Sequence, residues 1–365
     1  MKLAWKELMY NKKRYILIEG ILVLMIFMVL FLSGLANGLG RAVSAGVDNI
    51  NADYFILSSE SDGLIGMSGV QEEELQTIKD NIDSASAPLN VQRMSIRKSG
   101  TEEKADITYF AIDENSFLAP EIIEGSSIGD TKEEENTIVL NNTYKEEGIN
   151  IGDIIEDSTT GIAMKVTGFT KDSFYGHTPA GFITMNTFAE IRTEINPGYK
   201  LQYNTVAVNK TQNLQELGLD NLEILEKQEV ISNIPGYSAE QTTINMILWV
   251  LVVISAAVLG VFFYVITIQK QKEFGVMKAI GMEMKEITAM IISQVAILAC
   301  SGLLIGNLLA FGMAKFLPAS MPFYMEAASA IVVSAVFMMI SVICSLFSAV
   351  KVAKVDPVIT IGGNE

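Results

Sequence analysis

The stretch Tyr264 to Ile287, YVITIQKQKEFGVMKAIGMEMKEI, joins an uncharged apolar segment directly to a charged one. No charged residue lies between Glu240 and Lys270, and an apolar helix of about 20 residues is long enough to cross a bilayer. Seven charged residues then follow within a short distance: Lys270, Lys272, Glu273, Lys278, Glu283, Lys285 and Glu286. The stretch therefore predicts a helix that leaves the membrane near Ile268 and continues as a polar segment at the membrane surface.

Three further segments have the length and composition of membrane spans. Half of the 365 residues are hydrophobic and the mean hydropathy is +0.34, which favours a membrane protein with a sizeable polar part. We predict four transmembrane helices, at residues 16–36, 245–268, 288–315 and 327–350. Residues 1–15 mix bases with apolar side chains and predict an amphipathic helix at the membrane surface. A cleaved signal peptide is the alternative for the first span, because Ala36-Asn37-Gly38 resembles a cleavage site.

The charge of the chain is distributed very unevenly. Residues 40–244 hold 34 of the 42 acidic residues and 14 of the 26 basic ones. So acidic a surface repels phosphate, and we expect no nucleic-acid partner. Bases flank the spans at residues 1–15, 269–287 and 351–365, so the positive-inside rule places both termini and the 269–287 segment in the cytoplasm. Residues 37–244 and the short turn at 316–326 are then predicted to be extracytoplasmic, in the plasma membrane of a cell.

The 37–244 segment has the pattern of an α+β domain. Residues 53–57 and 105–112 are short runs rich in aromatic and β-branched residues, and 72–80 is typical of a short charged helix. From Asn136 onward, strand-sized runs alternate with turn signals, which predicts a small β-barrel or curled sheet. Cys300 and Cys344 both lie in predicted spans, so this domain has no disulfide. The fold class is therefore a four-helix membrane protein with a large α+β extracytoplasmic domain.

The charged segment carries a motif, Glu273-Phe-Gly275-x-x-Lys278-Ala279-x-Gly281. It resembles the cytoplasmic coupling segment of ABC permeases of the FtsX/MacB type. Gly275 and Ala279 are four residues apart and would give one small helical face for another protein. The resemblance implies two copies of a separate ATPase bound to a homodimer of this chain. The sequence contains no Gly-x-x-x-x-Gly-Lys-Ser/Thr loop, so the partner is expected to bind the ATP and the chain itself is not an enzyme.

Five further pieces resemble the Gram-positive heme-efflux permeases of the Hrt type. They are MKLAWKELMYNKKRYILIEG at the start, LFLSGLANGLGR after the first span, FFYVITIQKQKEFGVMKAIG, MPFYM, and DPVITIGGNE at the end. The resemblance implies an ATP-driven pump that takes heme from the membrane and releases it outside. Heme would be the transported cargo, and no resident cofactor or metal is expected.

Heme requires an apolar slot and accepts His, Tyr or Met as iron ligands. The resemblance implies that Tyr175 and Tyr237 contact cargo, and the candidate set is completed by residues expected around the membrane entrance: Phe31, Leu35, Asn49, His177 and Met246. Each has a plainer interpretation. A tyrosine at an interface is commonly an amphipathic anchor, a lone histidine beside proline is commonly a surface residue, and a methionine at the start of a span commonly packs.

Other functions use the same architecture. The cargo could be an antimicrobial peptide, a lipid or a lipoprotein, and a non-transporting regulator of cell-wall hydrolases, as in the FtsX branch, is a further alternative. A membrane-bound enzyme is disfavoured, since the chain has one histidine and lacks a His-Glu-x-x-His pair. Glu19 near the edge of the first span is interpreted as a tolerated charge. Gly302-x-x-x-Gly306 would allow two helices to approach closely.

Overall fold

The structure is a computed structural model, which describes residues 7, 9–10, 12–81, 85–129, 136–209, 220–318 and 321–353. Most of the predicted N-terminal helix and of the C-terminal tail lies outside these residues, as does the acidic run 133–135. The chain divides into two compact units. One comprises residues 1–38, 243–317 and 323–365; the other comprises residues 39–242 and 318–322. We call the first the membrane unit and the second the acidic unit.

Long apolar helices form the membrane unit. Among the residues that the structure describes, four helices have the length and composition to cross a membrane, with candidate spans at Tyr15–Asp48, Tyr237–Gln269, Met284–Ala314 and Ala327–Val350. A backbone in hydrocarbon must satisfy its own hydrogen bonds, which a helix does within a single segment. The helices in chain order are α1 (Lys12–Asp48), α2 (Glu72–Asn81), α3 (Met185–Ile195), α4 (Lys227–Asn233), α5 (Tyr237–Gln269), α6 (Gln271–Ala279), α7 (Met284–Ala314) and α8 (Ala327–Ala353).

Two of these helices run well past the apolar segments predicted as spans. Helix α1 continues beyond residue 36 to Asp48, and α5 begins at Tyr237, before the predicted start at residue 245. The end of α1 is stabilised by Lys227, whose ammonium donates hydrogen bonds to the carbonyls of Asp48 (3.1 Å) and Ile50 (2.8 Å). A cation at this position satisfies carbonyls that lack helical partners and complements the helix dipole.

Helices α1 and α7 meet at the two glycines of the Gly302-x-x-x-Gly306 motif. A Cβ placed on Gly302 would lie 2.0 Å from a methyl group of Leu22, and one on Gly306 would lie 2.6 Å from a methyl group of Ile26. Leu22 and Ile26 are four residues apart, so they form one row on α1 that fits over the glycine row of α7. The close approach that the spacing predicts is therefore confirmed within a single chain.

In its described residues, the acidic unit contains eleven strands. In chain order they are β1 (Tyr54–Ser58), β2 (Ser86–Lys98), β3 (Lys104–Ile112), β4 (Ile122–Gly125), β5 (Thr137–Asn141), β6 (Ile154–Asp157), β7 (Ala163–Thr170), β8 (Phe174–Tyr175), β9 (Thr178–Thr184), β10 (Thr205–Val208) and β11 (Leu222–Glu226). The hydrogen-bonded path runs β11-β1-β10-β2-β3-β9-β5-β7-β4, and β6 pairs with both β2 and β7. The pairs β3/β9 and β5/β7 are parallel, while the other pairs are antiparallel.

Six of the strands close into a ring. The order β2-β3-β9-β5-β7-β6 returns to β2, because β6 bridges β7 and β2. Side chains alternate along β3: Ile107 and Tyr109 belong to one core cluster and Phe110 and Ile112 to another. Such alternation is expected when both faces of a strand are buried. Of the barrel or curled sheet predicted from Asn136 onward, the structure shows a barrel, and β2 and β3, which precede Asn136, complete it.

Strand β2 links this barrel to a second group of strands. Its first residues pair with β10 and its later residues pair with β3 and β6. Strands β11, β1 and β10 extend outward from it, and α2 packs there with Leu75 and Ile78 in a cluster that also holds Tyr203 and Val206. The charged helix predicted at residues 72–80 is α2, whose polar side remains exposed.

Replacing Gly306 by Leu tests the glycine row. The added side chain would meet Ile26, which is β-branched and stiff, so we expect the free energy of unfolding of the purified protein to fall by about 1–3 kcal/mol. Thermal unfolding in detergent measures the change. Gly312→Leu on the same helix is the matched control, because no atom lies within 4 Å of a Cβ at Gly312. Equal stability of the two variants would contradict the packing described here.

Candidate functional site

The charged segment at residues 269–287 begins at a break that follows the long second spanning helix. Helix α5 ends at Gln269, and Lys270 takes φ −96° and ψ 3° before α6 starts at Gln271. Lys270 N still donates to the carbonyls of Ile266 and Thr267 at 3.2 Å, so the backbone tightens at this point without losing its hydrogen bonds. Helix α6 can therefore take a direction different from that of α5.

One side of α6 is buried within the chain itself. Phe274 is 1% exposed and packs with Ile287, Ile291 and Ala349, which belong to α7 and α8. Gly275, next to it, is also buried. The small face expected from Gly275 and Ala279 is therefore not a single outward face: Gly275 faces the chain's own helices, and Ala279 is exposed. The spacing did not reveal this, because it defines a face without saying what covers it.

The opposite side of α6 is open. Exposed residues follow a helical spacing through its last turn: Lys272, Glu273, Val276, Ala279 and Ile280. Val276 is 50% exposed and Ile280 is 76% exposed. Lys278 is half-buried. A mixed stripe of apolar and charged side chains is typical of a surface that receives another protein. We call this stripe the outer face of α6.

Gly281 ends α6 in a way that only glycine does easily. Its φ is +98°, a left-handed conformation. Gly281 N donates to Lys278 O and Met282 N donates to Met277 O, both at 3.0 Å. These two bonds form a Schellman motif. Glu283 N then donates to the Glu286 carboxylate at 3.2 Å, in the first turn of α7, so the direction of the chain is set within a few residues.

A second cluster lies in the acidic unit at the hairpin of β8 and β9. Tyr175 pairs with Thr178, and the two residues between them, Gly176 and His177, have φ of +56° and +64°. Two successive positive φ values define a type I′ turn, which matches the twist of a hairpin. His177 therefore stands at the tip of a tight turn, with its side chain 48% exposed.

This hairpin is attached to the last turns of α1. Gly176 N donates to Val43 O and His177 N donates to Ala42 O, both at 2.9 Å. Asn49 Nδ2 donates to Asp172 O at 2.5 Å. Gly46 permits the approach, because a Cβ there would lie 2.9 Å from Phe174 O. Asn49 Oδ1 also accepts a hydrogen bond from Arg41 at 2.9 Å, so both the oxygen and the nitrogen of the Asn49 side-chain amide are engaged in hydrogen bonds.

Tyr175 and Tyr237 pack against the same hydrophobic core of the acidic unit. The ring of Tyr175 meets that of Phe110 edge to face, with centroids 6.1 Å apart. Burial raises the pKa of Tyr175 to about 12, so its hydroxyl keeps its proton at neutral pH. Tyr237 is half-buried at the start of α5, where its backbone N–H bonds to Ile234 O. The two tyrosines thus share one apolar environment.

Glu240 is a member of this cluster that sequence reasoning missed. His177 Nε2 lies 2.9 Å from Glu240 Oε1, and both side chains are partly exposed. The pair joins the hairpin tip to the first turn of α5. Glu240 lies three residues after Tyr237, which places the two side chains on the same side of a helix. This spacing could have identified Glu240 from the sequence. We call Tyr175, His177, Tyr237 and Glu240 the hairpin cluster.

The remaining candidates, Phe31, Leu35 and Met246, belong to the membrane unit. Phe31 lies against Phe323, with ring centroids 5.3 Å apart, and Leu35 is half-buried nearby in sequence. Met246 is 61% exposed on α5. Their part in cargo binding stays a prediction. Among the residues that the structure describes, no group of three or more His, Cys, Asp or Glu side chains could hold a metal ion.

Replacing Gly281 by Val tests whether the turn at the end of α6 affects the partner ATPase. Val at this position would strain the backbone and alter the direction in which α6 meets α7, so ATP hydrolysis by a complex with the ATPase should fall several-fold. Gly281→Asn is the matched control, since asparagine tolerates the left-handed region, and it should retain more activity. Hydrolysis is measured on the purified complex in lipid nanodiscs. Equal rates for both variants and the parent would show that this turn plays no part in coupling.

Comparison with known proteins places the chain in a family. The model of the MacB-like periplasmic core domain matches residues 20–218, and that of the FtsX-like permease C-terminal domain matches residues 245–357. A protein of Staphylococcus epidermidis, named as a proposed hemin transport system permease HrtB, is 30% identical over 365 residues, with all of both chains covered. The protein of the same name from Staphylococcus haemolyticus is 27% identical, again over the whole of both chains.

More distant relatives have the same extent. An uncharacterised ABC transporter permease of Mycobacterium tuberculosis is 21% identical over 375 residues, covering 99% of each chain. Among solved structures, the periplasmic region of MacB from Actinobacillus actinomycetemcomitans is 11% identical, covers 52% of this chain and 96% of its own, and has a TM-score of 0.36. The extracellular domain of YknZ from Gram-positive bacteria covers 46% and 86%, at 18% identity and a TM-score of 0.31.

The two family models together cover most of the four spanning helices and most of the acidic unit. The resemblance to FtsX/MacB-type permeases, predicted from the 273–281 motif, and that to Hrt-type permeases, predicted from five further pieces of sequence, are therefore confirmed. The chain is a multi-pass membrane protein with a periplasmic-type α+β domain, and it belongs to the FtsX/MacB family of ABC transporter permeases.

Proposed function

We propose that this permease exports heme, in a pump driven by two copies of a separate ATPase bound to a homodimer of the chain. The observation that carries the cargo assignment is the full-length match, at 30% identity, to a relative named for hemin transport. The hairpin cluster supports it chemically, because it gathers two tyrosines and the single histidine of the sequence beside an apolar core. Tyrosine and histidine are ligands of heme iron, and the macrocycle requires apolar contact.

The orientation proposed for the pump follows from charge. Bases concentrate beside the spans at residues 1–15 and 269–287, while the acidic unit holds the excess of carboxylates. The rule that basic loops stay in the cytoplasm then puts the coupling segment and both termini inside the cell, with the acidic unit outside. The acidic unit would also be repelled by anionic headgroups, which favours its projection away from the membrane.

The outer face of α6 is the surface proposed for the ATPase. Val276 and Ile280 supply exposed apolar area, and Lys272 and Glu273 supply charges of both signs beside it. The chain has no phosphate-binding loop of its own, so ATP would be hydrolysed by the partner. Closure of the ATPase pair would displace α6, and α5, which is continuous from Tyr237 to Gln269, would carry the displacement outward. Cargo in the outer leaflet would then be expelled.

Hemin tolerance tests the cargo. Tyr175→Ala combined with Tyr237→Ala should abolish the protection that the pump gives to cells exposed to hemin, and should remove the Soret shift on hemin titration of the purified complex. Tyr54→Ala, in β1 of the same unit, is the control for loss of a half-buried tyrosine outside the cluster. Protection that is unchanged in the double variant would refute this placement of the cargo. Protection against peptides instead of hemin would favour the alternative cargo class.

The pH dependence of hemin binding tests the role of Tyr175. Because its pKa is raised to about 12, the phenol is protonated at neutral pH, and binding of ferric iron by the phenolate would release that proton. The apparent affinity should then increase with pH, up to about tenfold per unit between pH 6 and 9. Tyr175→Phe should remove this dependence. A slope that persists in the Phe variant would mean that another group supplies the ligand.

A further inference from the structure

A buried polar cluster occupies the break between α5 and α6. Lys270 is 2% exposed, and its ammonium forms an ion pair with Glu7, which precedes α1. The ammonium also donates to the hydroxyl of Tyr15 at 2.5 Å and to the side-chain oxygen of Gln294 at 3.4 Å. Gln294 in turn donates from Nε2 to the second carboxylate oxygen of Glu7. We call these four residues the Lys270 cluster.

Every hydrogen-bond donor of the Lys270 ammonium has an acceptor within the cluster. An ammonium has three donors, and the three acceptors named above account for all of them. Its charge is balanced by Glu7, whose side chain is 15% exposed. The ammonium also lies 5.1 Å from the centre of the Tyr15 ring. Burial of an ion pair is costly unless the remaining donors and acceptors are satisfied, and replacing the pair by apolar residues commonly loses no stability. A role in addition to stability would explain why a charged pair is present at this position.

The location of the Lys270 cluster indicates its role more clearly than its contribution to stability does. Glu7 lies before α1, Tyr15 is in its first turns, Gln294 is in α7, and Lys270 is the residue at which α5 gives way to α6. One turn further on, Phe274 is packed between α7 and α8. Without a fixed point at the break, a displacement of α6 would be absorbed by a change of backbone angle at Lys270.

We propose that Lys270 is a positioning residue of the transmission path. Through Glu7, Tyr15 and Gln294 it fixes the angle between α5 and α6 and joins both helices to α1 and α7. Movement imposed on α6 by the ATPase is then passed to the spans and to the acidic unit. The proposal rests on the coupling role of α6 in the proposed function, and it is independent of the identity of the cargo.

The test uses the complex with its ATPase in lipid nanodiscs, and four variants. They are Glu7→Gln, Lys270→Met, the neutral pair that combines both, and the exchanged pair Glu7→Lys with Lys270→Glu. Lys13→Met is the control, since Lys13 is exposed in the first turn of α1 and lies outside both the Lys270 cluster and the outer face of α6. Three quantities are measured: ATPase association, ATP turnover, and the difference in amide hydrogen exchange of residues 39–242 between the vanadate-trapped and ADP-bound states.

The proposal expects turnover within about twofold of the parent and a fall of at least fivefold in the exchange difference for the neutral pair. The exchanged pair should recover at least half of the difference, and Lys13→Met should retain all of it. The single variants leave one buried charge unpaired and are expected to be less stable, so the neutral pair is the deciding variant.

Three results would overturn the proposal. They are a parental exchange difference in the neutral pair, failure of the neutral pair to associate with the ATPase, and absence of any ATP-dependent difference in the parent. The first result would mean that the cluster only stabilises the fold, and the second would mean that it is needed for assembly with the ATPase. Hemin is not used at any step, so a failed hemin assay would refute the proposed cargo while leaving this result intact.

Discussion

The structure depends on the requirement that a peptide backbone in hydrocarbon satisfy its own hydrogen bonds. Helices meet that requirement locally, and once formed they can continue into water at little extra cost. Helices α1 and α5 both do so, reaching Asp48 and beginning at Tyr237. The ends of the spans are therefore also elements of the acidic unit: Lys227 caps the last carbonyls of α1, and the hairpin of β8 and β9 bonds to Ala42 and Val43.

The sequence carried the parts of the fold that depend on local pattern. Uncharged runs located the spans, the turn signals after Asn136 located four of the six barrel strands (β5, β6, β7 and β9), and the glycine spacing at Gly302 and Gly306 predicted a close helix approach. Each of these features is set by residues within a few positions of one another. The left-handed turn at Gly281 is local in the same sense.

Features that depend on distant residues were missed or assigned wrongly. Glu7 and Lys270 are 263 positions apart in the sequence, and no local pattern links them. His177 and Glu240 are also far apart in sequence, although they lie 2.9 Å from each other. Gly275 was expected on the outer surface, but Phe274 next to it turns that side of α6 toward α7 and α8. Periodicity defines the faces of a helix, and tertiary packing decides which face is covered.

The acidic unit contains no cysteine, and the closure of its six-stranded ring affects its tendency to aggregate. A strand paired on both sides offers no backbone groups to a neighbouring chain, so a closed ring resists edge-to-edge aggregation. The sheet path ends at β4 and β11, which are short strands of four and five residues. Glu124 lies in the first, and Glu223 and Glu226 lie in the second. Glu124 is paired with Lys145, whereas repulsion between the Glu223 and Glu226 carboxylates of separate molecules would keep their sheets from joining at β11 in a crowded solution.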